Sequence, residues 1–364
     1  MASCDRHESG FAFVLLRICR TDILKSMRDL SKWVLMFCLS GLGHTSAADG
    51  VLESIARSLD TLQSQLTPDL SHQAGFRGLY AIKPENPNAQ FLFAAPGMIS
   101  TATPEWSHHG DLLAFDAVPT VDDLNQSQIG VYAAAGPFKG KSVMLGYGNV
   151  PSWSPDDRHI TFLLNPGNPI GAPGGIWMMK ADGSDRRWLC DGSYPRWSPN
   201  GEEIMFRDFE HEPNRLGFYN LKNGTVRYIL GSDVGVEFGG GTWSSDSKRV
   251  YFVAIKDERR HLAIIEVSGN PETLQIIYTE TRPDHELVGP PAVSPNGEKI
   301  VFAIQDRTRK TGQDRLWLNT FLHWLPLADS TAKPTLLEAH KIGLINRGMM
   351  WSRDGETIVF SSER

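Results

Sequence analysis

Short runs of alternating apolar and polar residues, four to seven long and broken by Gly, Pro, Asn or Asp, fill the chain from about residue 77 onward. Alternation with a period of two is typical of β-strands that bury one face. One phrase recurs, as in "PRWSPNGEEIMF" at 195–206: an aromatic residue, a tight polar turn and an alternating apolar run. Each copy predicts a strand that ends at the aromatic residue, a turn, and a second antiparallel strand.

The phrase occurs six times, with anchor residues separated by 47, 44, 46, 50 and 58 positions. This spacing is typical of four-stranded propeller blades. A second hairpin follows five of the phrases, the sixth phrase ends the chain, and an unmatched hairpin at 78–94 precedes the first phrase. We therefore predict an all-β fold, a six-bladed β-propeller over 77–364 closed by one blade with strands from both termini.

The anchor residues are predicted to fill the wedges between neighbouring blades. Burying one such aromatic ring removes roughly 150–250 Å² from water, which favours a packing role over ligand contact. Val293 replaces Trp in the fifth copy, so the wedge there should be narrower or filled from elsewhere. The anchors are Trp106, Trp153, Trp197, Trp243, Val293 and Trp351.

The N-terminal 48 residues are predicted to be a leader with a signal peptide starting at Met27. Basic residues follow Met27, an apolar stretch spans 33–43, and small residues allow cleavage after Ala47 or Ala48. This apolar stretch is shorter than the roughly 20 residues that span a bilayer, although a membrane anchor is the open alternative. We expect a bacterial protein that is periplasmic or secreted, without stable membrane insertion after cleavage.

Residues 49–76 are predicted to form an N-terminal helical segment. The apolar residues of 49–66 share one helical stripe, with Asp49 as a possible N-cap and Pro68 after the stop. We expect a short amphipathic helix docked on the propeller, and a loosely attached N-terminus is the alternative.

The net charge argues against some classes of partner, and the cysteine content argues against an internal disulfide. The formal charge is −6, and removal of residues 1–48 takes away six Lys/Arg and four Asp/Glu, leaving −8. A mildly acidic chain without a basic cluster argues against nucleic acid and anionic membranes as partners. Cys190 is the one cysteine beyond residue 48, so an exported chain would have no internal disulfide.

The repeat pattern W-S-P-[DN]-G-x-x-[IV]-x-F, followed by "IWMMKADGSDRRWL" at 176–189, resembles the TolB-like (WD-like) propeller repeat over nearly all of 78–364. This repeat occurs in a periplasmic Tol-system protein, in noncatalytic domains of prolyl-oligopeptidase-type enzymes and in a few lyases. The resemblance therefore implies a fold more than a function. We expect neither the α/β domain that precedes the propeller in TolB proteins nor the hydrolase domain of the peptidases.

The two rims of the predicted ring differ. The turns inside each phrase and each second hairpin are short, and they define the turn rim. Longer connections define the opposite loop rim, where binding groups usually lie. These connections are 117–130, 165–175, 207–215, 231–241, 279–291 and 305–315.

Six residues just before the inner strands are the predicted ligand- or partner-binding group at the channel mouth, and solvated polar loops are the alternative. They are Asn149, Tyr194, Glu237, His285, Glu286 and Arg347. Further from the axis lie Asp122, Asp123, His211, Arg307 and Arg309.

No catalytic motif stands out in the sequence. "GPFKGKS" at 136–142 has the wrong glycine spacing for a P-loop and falls in a predicted hairpin. No G-x-S-x-G occurs, Cys190 has no evident His partner, and His108-His109 suits a polar turn better than a metal pair. We expect no catalytic residue, metal or cofactor.

We expect a noncatalytic binding or scaffolding module for an envelope protein, peptide or glycan. The alternative is a polysaccharide lyase or hydrolase with its acid and base at the channel mouth.

Overall fold

A computed structural model describes residue 71 and residues 76–363, except 121–122, 212, 231–232, 269–272, 309–318, 330 and 338–345. The leader and the helix expected at 49–66 lie outside the described residues and stay predictions. The described chain is built of β-strands, with one 3-10 turn at Leu124–Gln126. No helix among these residues is long and apolar enough to cross a membrane.

Four separate sheets each contain four consecutive antiparallel strands, and each is one blade. Blade 2 has β7 (Asn149–Trp153), β8 (His159–Leu164), β9 (Gly175–Lys180) and β10 (Arg187–Cys190). Blade 3 has β11 (Ser193–Trp197), β12 (Glu203–Asp208), β13 (Arg215–Asn220) and β14 (Val226–Ile229). Blade 4 has β15 (Gly235–Trp243), β16 (Arg249–Lys256), β17 (Arg259–Glu266) and β18 (Gln275–Thr279). Blade 5 has β19 (His285–Val293), β20 (Lys299–Asp306), β21 (Thr320–Pro326) and β22 (Thr335–Leu336).

The remaining strands form one eight-stranded sheet in the order β23-β24-β1-β3-β4-β5-β6, with β2 paired to β1. They are β1 (Arg77–Lys83), β2 (Asn86–Phe93), β3 (Ser100–Trp106), β4 (Leu112–Val118), β5 (Gln128–Ala133), β6 (Ser142–Tyr147), β23 (Asn346–Trp351) and β24 (Ile358–Glu363). A single residue pair, Arg77 with Ser100, joins its two halves. We count β3–β6 as blade 1 and β23, β24, β1 and β2 as blade 6, and the number six rests on this division.

The sheet that contains the first and last described strands is the composite blade expected from the sequence. β24 pairs antiparallel with β1 over six residue pairs, from Arg77 with Glu363 to Ile82 with Ile358. Arg77 Nη2 also lies 3.0 Å from Glu363 Oε2. The first strands of the blades contact one another in order, from β3 through β7, β11, β15 and β19 to β23, which contacts β3 again. The inner strands therefore form a closed ring.

Among the described residues, six apolar clusters lie between neighbouring blades, and each of the six surrounds or adjoins one anchor residue. Trp153, Trp243 and Trp351 are buried within the clusters of blades 1–2, 3–4 and 5–6. Trp106, Trp197 and Val293 are partly buried against the other three clusters. The last residue of each phrase is fully buried as well, at Phe115, Phe162, Phe206, Phe252, Phe302 and Phe360. The core is thus distributed over the interfaces between blades.

Each inner strand is interrupted by a β-bulge near its loop-rim end, where its register with the second strand shifts. The backbone has a positive φ at Thr103 and Val150, and β-branched residues rarely adopt this left-handed conformation. The buried Asp116 carboxylate supports both, because it accepts hydrogen bonds from Thr103 Oγ1 and, at 2.8 Å, from the Val150 amide. The bulges set where side chains leave the inner strands toward the channel mouth.

Two of the connections that the sequence presents as loops are largely strand. Most of 231–241 belongs to β15, and most of 279–291 belongs to β19. Both inner strands are nine residues long and carry the bulge inside them. Glycine and proline in "EFGGG" and "VGPP" indicated loops, but here they accommodate bulges within paired strands.

Candidate functional site

Asn149 and Tyr194 lie at the starts of the inner strands β7 and β11. The Asn149 side chain is buried, and its Oδ1 has no hydrogen-bond partner in the described structure. The Tyr194 ring meets the exposed ring of Phe238 edge-on, with 4.8 Å between centroids. This contact joins blades 3 and 4 at the loop rim.

Glu237 and Glu286 lie on neighbouring inner strands and are bridged by one arginine. Arg260 Nε lies 2.8 Å from Glu237 Oε2, and Arg260 Nη1 bonds Glu286 Oε2. Arg307 Nη2 then lies 2.6 Å from the same Glu286 oxygen. The result is an alternating acid–base chain, here called the rim charge network, that connects blades 4 and 5.

Arg260 is a member of this network that sequence reasoning missed. It follows the tight turn at 257–258, which makes the connection between β16 and β17 the shortest on the loop rim of that blade. Long connections are the sequence feature that predicts binding groups, and a two-residue turn carries no such signal. The pair "RR" at 259–260 beside an acidic turn was the available clue.

His285 lies at the start of β19, and its Nδ1 hydrogen-bonds the Pro283 carbonyl at 3.0 Å. Its Nε2 is 3.8 Å from Asp306 Oδ1, so the structure places it beside Asp306 and apart from the rim charge network. Arg347 pairs with Ser361 through the backbone, and its side chain lies outside the described part of the chain.

The outer candidates have local partners. Asp123 accepts a hydrogen bond from the Asn125 amide, and His211 Nδ1 lies 2.8 Å from Asp208 Oδ2. Asp122 and Arg309 are outside the described residues.

A pocket of about 170 Å³ opens beside the rim charge network, on the side of blade 5 that faces blade 4. Its polar groups come from the connection after β18 and from the first three strands of blade 5. The lining residues are Arg282, His285, Ile304, Asp306, Phe321, His323 and Leu336. Burial lowers the pKa of His323 to about 4, so this imidazole is neutral at pH 7.

Large exposed apolar side chains mark the loop rim on four consecutive blades. Leu124, Ile170, Phe209 and Phe238 are 60%, 54%, 48% and 44% exposed and belong to blades 1, 2, 3 and 4. The Asn165 side-chain amide donates to the Leu124 carbonyl at 3.0 Å, which connects the first two loops. These four residues are called the apolar arc. Within the described chain, no large exposed apolar residue lies in a turn of the opposite rim.

Glu105 is an acidic inner-strand residue that sequence reasoning also missed. Burial raises its pKa, although Arg196 and Arg353 act in the opposite direction. It precedes the anchor Trp106, near the turn rim, and is therefore far from the loops along its strand. No group of three or more His, Cys, Asp or Glu side chains in the described residues is arranged to hold a metal ion.

No protein-family model and no curated protein matches this chain. Among solved structures, a TolB of Agrobacterium tumefaciens aligns with a TM-score of 0.62 at 15% identity, over 79% of this chain and 98% of that one. A chain of a nidogen/laminin complex aligns with a TM-score of 0.52 at 14% identity, over 73% and 94%. TolB of Acinetobacter baumannii aligns at 0.49 and 16%, over 86% and 70%. The first two alignments, together with the arrangement of the sheets, show that the fold is a TolB-like β-propeller.

Proposed function

We propose that this chain is an exported, noncatalytic propeller module that binds a protein partner through its loop rim. The apolar arc carries the proposal. Single exposed apolar residues are ordinary on protein surfaces, but four large ones on the same rim of consecutive blades form a pattern. Among the ligand classes that a propeller rim can bind, a protein surface best matches exposed aromatic and aliphatic side chains.

The groups beside the arc suit such an interface. The Tyr194 ring contacts Phe238 of the arc, and aromatic residues are enriched where interfaces gain most of their affinity. The rim charge network lies next to them, with Glu237 buried and Arg307 half exposed. We propose that the apolar arc supplies contact area, while Glu237, Glu286 and their arginines orient the partner.

The proposal includes the domain organisation expected from the sequence: a leader at 1–48, a helical segment at 49–76 and the propeller at 77–364. It also includes a periplasmic or secreted location. Edman sequencing of the chain purified from the periplasm should give a new N-terminus at Ala48 or Asp49. A chain that retains residues 28–47 in the periplasm would contradict the signal-peptide assignment.

The binding function can be tested with a rim variant and a matched surface variant. Phe209→Ser with Phe238→Ser removes two aromatic members of the apolar arc. Val226→Ser with Ile276→Ser changes two exposed residues on outermost strands. The immobilised wild-type chain and both variants are incubated with detergent-solubilised envelope extract, and retained proteins are quantified by mass spectrometry.

The proposal predicts a protein retained by the wild type and the outer-strand variant but lost, or reduced about tenfold or more, with the rim variant. Equal retention by all three chains, or loss only with the outer-strand variant, would contradict it. Unchanged thermal unfolding of the rim variant separates loss of contact from loss of fold.

The lyase or hydrolase alternative calls for a group with a displaced pKa that substrate can reach at the channel mouth. Glu105 has a raised pKa but is buried near the turn rim, and His323 lies away from the inner strands. No observation on the described residues favours this alternative over binding.

A further inference from the structure

The N-terminal end of the described propeller lies on the loop rim. β24 runs from the turn rim to the loop rim, and its last residue, Glu363, pairs with Arg77 at the start of β1. The residue before this strand, Phe76, is buried in a small apolar cluster with Ile99 and Val118. The residues that precede Phe76 in the chain therefore start from the loop rim.

The apolar arc begins next to this point. Val118 is the last residue of β4, and the connection that follows it carries Leu124, which is 60% exposed. Ile170, in the corresponding connection of blade 2, is 54% exposed. The Asn165 side-chain amide donates to the Leu124 carbonyl at 3.0 Å, so the two connections touch. Leu124 and Ile170 thus belong to one surface beside the N-terminal end of the propeller.

The connection that carries Ile170 is held in a fixed shape by a buried side chain. Asn168 is 5% exposed, and its Nδ2 donates at 2.8 Å to the carbonyls of both Asn165 and Ala172. Its Oδ1 accepts from the Ala172 amide at 3.2 Å. A surface formed in advance in this way loses little conformational entropy when another segment packs on it.

The stretch at 49–66 is a segment of this chain that suits such a surface. It lies outside the described residues, and its sequence predicts a helix with apolar side chains on one stripe. An isolated helix of this length is marginal in water and needs an apolar surface to pack on. The linker at 67–75 can span at most about 30 Å, so the C-terminal end of the helix stays within that distance of Phe76.

The other large exposed apolar residues of the described chain all lie on outermost strands, at the periphery of their blades. They are Phe91, Trp188, Val226, Tyr228, Ile276 and Leu336. An amphipathic stripe needs an elongated apolar surface, and the touching connections of blades 1 and 2 provide one beside the point where the linker begins. We propose that residues 49–66 dock on the apolar arc at Leu124 and Ile170 and shield these two residues in the free chain.

This inference deepens the proposed function, and its consequence rests on that function. A partner that binds the whole arc has to displace the helix from Leu124 and Ile170, so the helix competes with the partner for the same surface. The docking itself requires no partner and can be measured on the isolated chain.

Photo-crosslinking of the full chain, expressed with its own leader, tests the docking. p-Benzoylphenylalanine replaces either Leu59, on the apolar stripe, or Ser64, on the opposite side of the predicted helix. Illumination of dilute protein should link the Leu59 position to the connection after β4 or to the connection 165–175 of the same chain, as located by mass spectrometry. The Ser64 position should give only background levels of these products.

Variants of the arc show whether the crosslinks depend on the proposed surface. Leu124→Ser with Ile170→Ser should reduce the products from the Leu59 position to background, whereas the outer-strand variant of the binding test should leave them unchanged. Products located on β2 around Phe91, products that join two chains, or equal yields from the Leu59 and Ser64 positions would overturn the proposal. The absence of any product within the chain would overturn it as well.

The dye anilinonaphthalene sulfonate, which fluoresces when it binds exposed apolar surface, gives a second measurement. Ile55→Ser with Leu59→Ser removes two residues of the stripe and should raise the dye fluorescence of the folded chain about twofold or more. Addition of Leu124→Ser with Ile170→Ser should abolish this increase, and a synthetic peptide of residues 49–66 should reverse it with saturation.

An increase that persists without Leu124 and Ile170, or no increase at all, would contradict the docking. Neither measurement uses an envelope protein, so a failure here leaves rim binding standing. Conversely, a failure to capture a partner leaves the docking of residues 49–66 intact.

Discussion

Ser198 shows how a single side chain fixes the turn after an inner strand. Its Oγ accepts a hydrogen bond from the Glu203 amide at 2.9 Å, and its carbonyl accepts one from the Gly201 amide at 2.9 Å. Gly201 has a φ of +77°, which glycine adopts without steric cost. The same two bonds recur at Ser107, Ser154, Ser244, Ser294 and Ser352. The sequence predicts this turn well because every interaction lies within five residues.

The loop-rim side chains could be predicted only in part, because their partners are distant in sequence. The position of Glu237 and Glu286 near the channel mouth followed from the repeat, since each precedes an inner-strand anchor by a few residues. Their bridge through Arg260 depends on how blades 4 and 5 pack, which no local pattern records. Likewise, the register of β19 with β20 places His285 opposite Asp306.

His109 provides a pH-dependent contact between two turns of the turn rim. The hydrogen bond from its ring to Asp157 raises the pKa of His109 above its ordinary value of 6.5. A raised pKa in the folded state gives stability that is full below pH 6.5 and is lost as the pH rises through the folded-state value. We expect the melting temperature of the wild type, relative to His109→Ala, to fall over this range. The effect should stay below about 1 kcal/mol, because the histidine is exposed.

The neighbouring exposed His108 is the matched control for this measurement. His108→Ala should keep the pH dependence of the wild type, since the Asp157 carboxylate meets only the backbone amide of His108. Thermal melts between pH 5.5 and 8.5 give the comparison. Identical pH profiles of the wild type and His109→Ala would contradict the assignment.

At the scale of the strand, the anchor tryptophans share one place in the blade but differ in hydrogen bonding. Trp351 and Trp153 are 2% and 3% exposed, so both are enclosed between blades. Trp351 Nε1 donates to the Ala292 carbonyl of the preceding blade at 3.1 Å, whereas Trp153 Nε1 is buried without a partner in the described structure. The repeat could predict the burial of both rings, but an acceptor on the preceding blade depends on the distance between blades.

This difference predicts unequal costs for the same substitution. Trp351→Phe should lower the free energy of unfolding by about 1 kcal/mol more than Trp153→Phe, because it also removes a buried hydrogen bond between blades. Both substitutions reduce the ring by a similar volume, so the loss of packing largely cancels in the comparison. Urea unfolding at equilibrium measures the two values, and an equal or reversed order would show that the Ala292 bond contributes nothing.

For the whole molecule, circular closure could be predicted from the sequence, because it follows from the number of repeat phrases and hairpins and not from their detailed geometry. Six phrases with five following hairpins leave one hairpin at the start and one phrase at the end, and pairing them removes both exposed edges. The structure places β24 against β1 as this count requires. The count does not predict the boundary between blades 6 and 1. These two blades are joined into one sheet by the backbone pairing of Arg77 with Ser100. Beside this pairing, the Arg77 amide donates a hydrogen bond to the Ile99 carbonyl at 2.8 Å.

Closure predicts that a covalent link between the first and last described strands increases stability. Arg77 and Glu363 are paired across β1 and β24 although they are 286 positions apart, and opposite residues of antiparallel strands are close enough for a disulfide. Arg77→Cys with Glu363→Cys should form a disulfide readily. The oxidised chain should have a free energy of unfolding about 2–5 kcal/mol higher than the reduced chain, because the disulfide lowers the conformational entropy of the unfolded chain. Each single substitution controls for loss of the Arg77–Glu363 ion pair. Urea unfolding with and without reductant measures the gain, and failure to form the bond in the folded chain would mean that the two ends do not share a sheet.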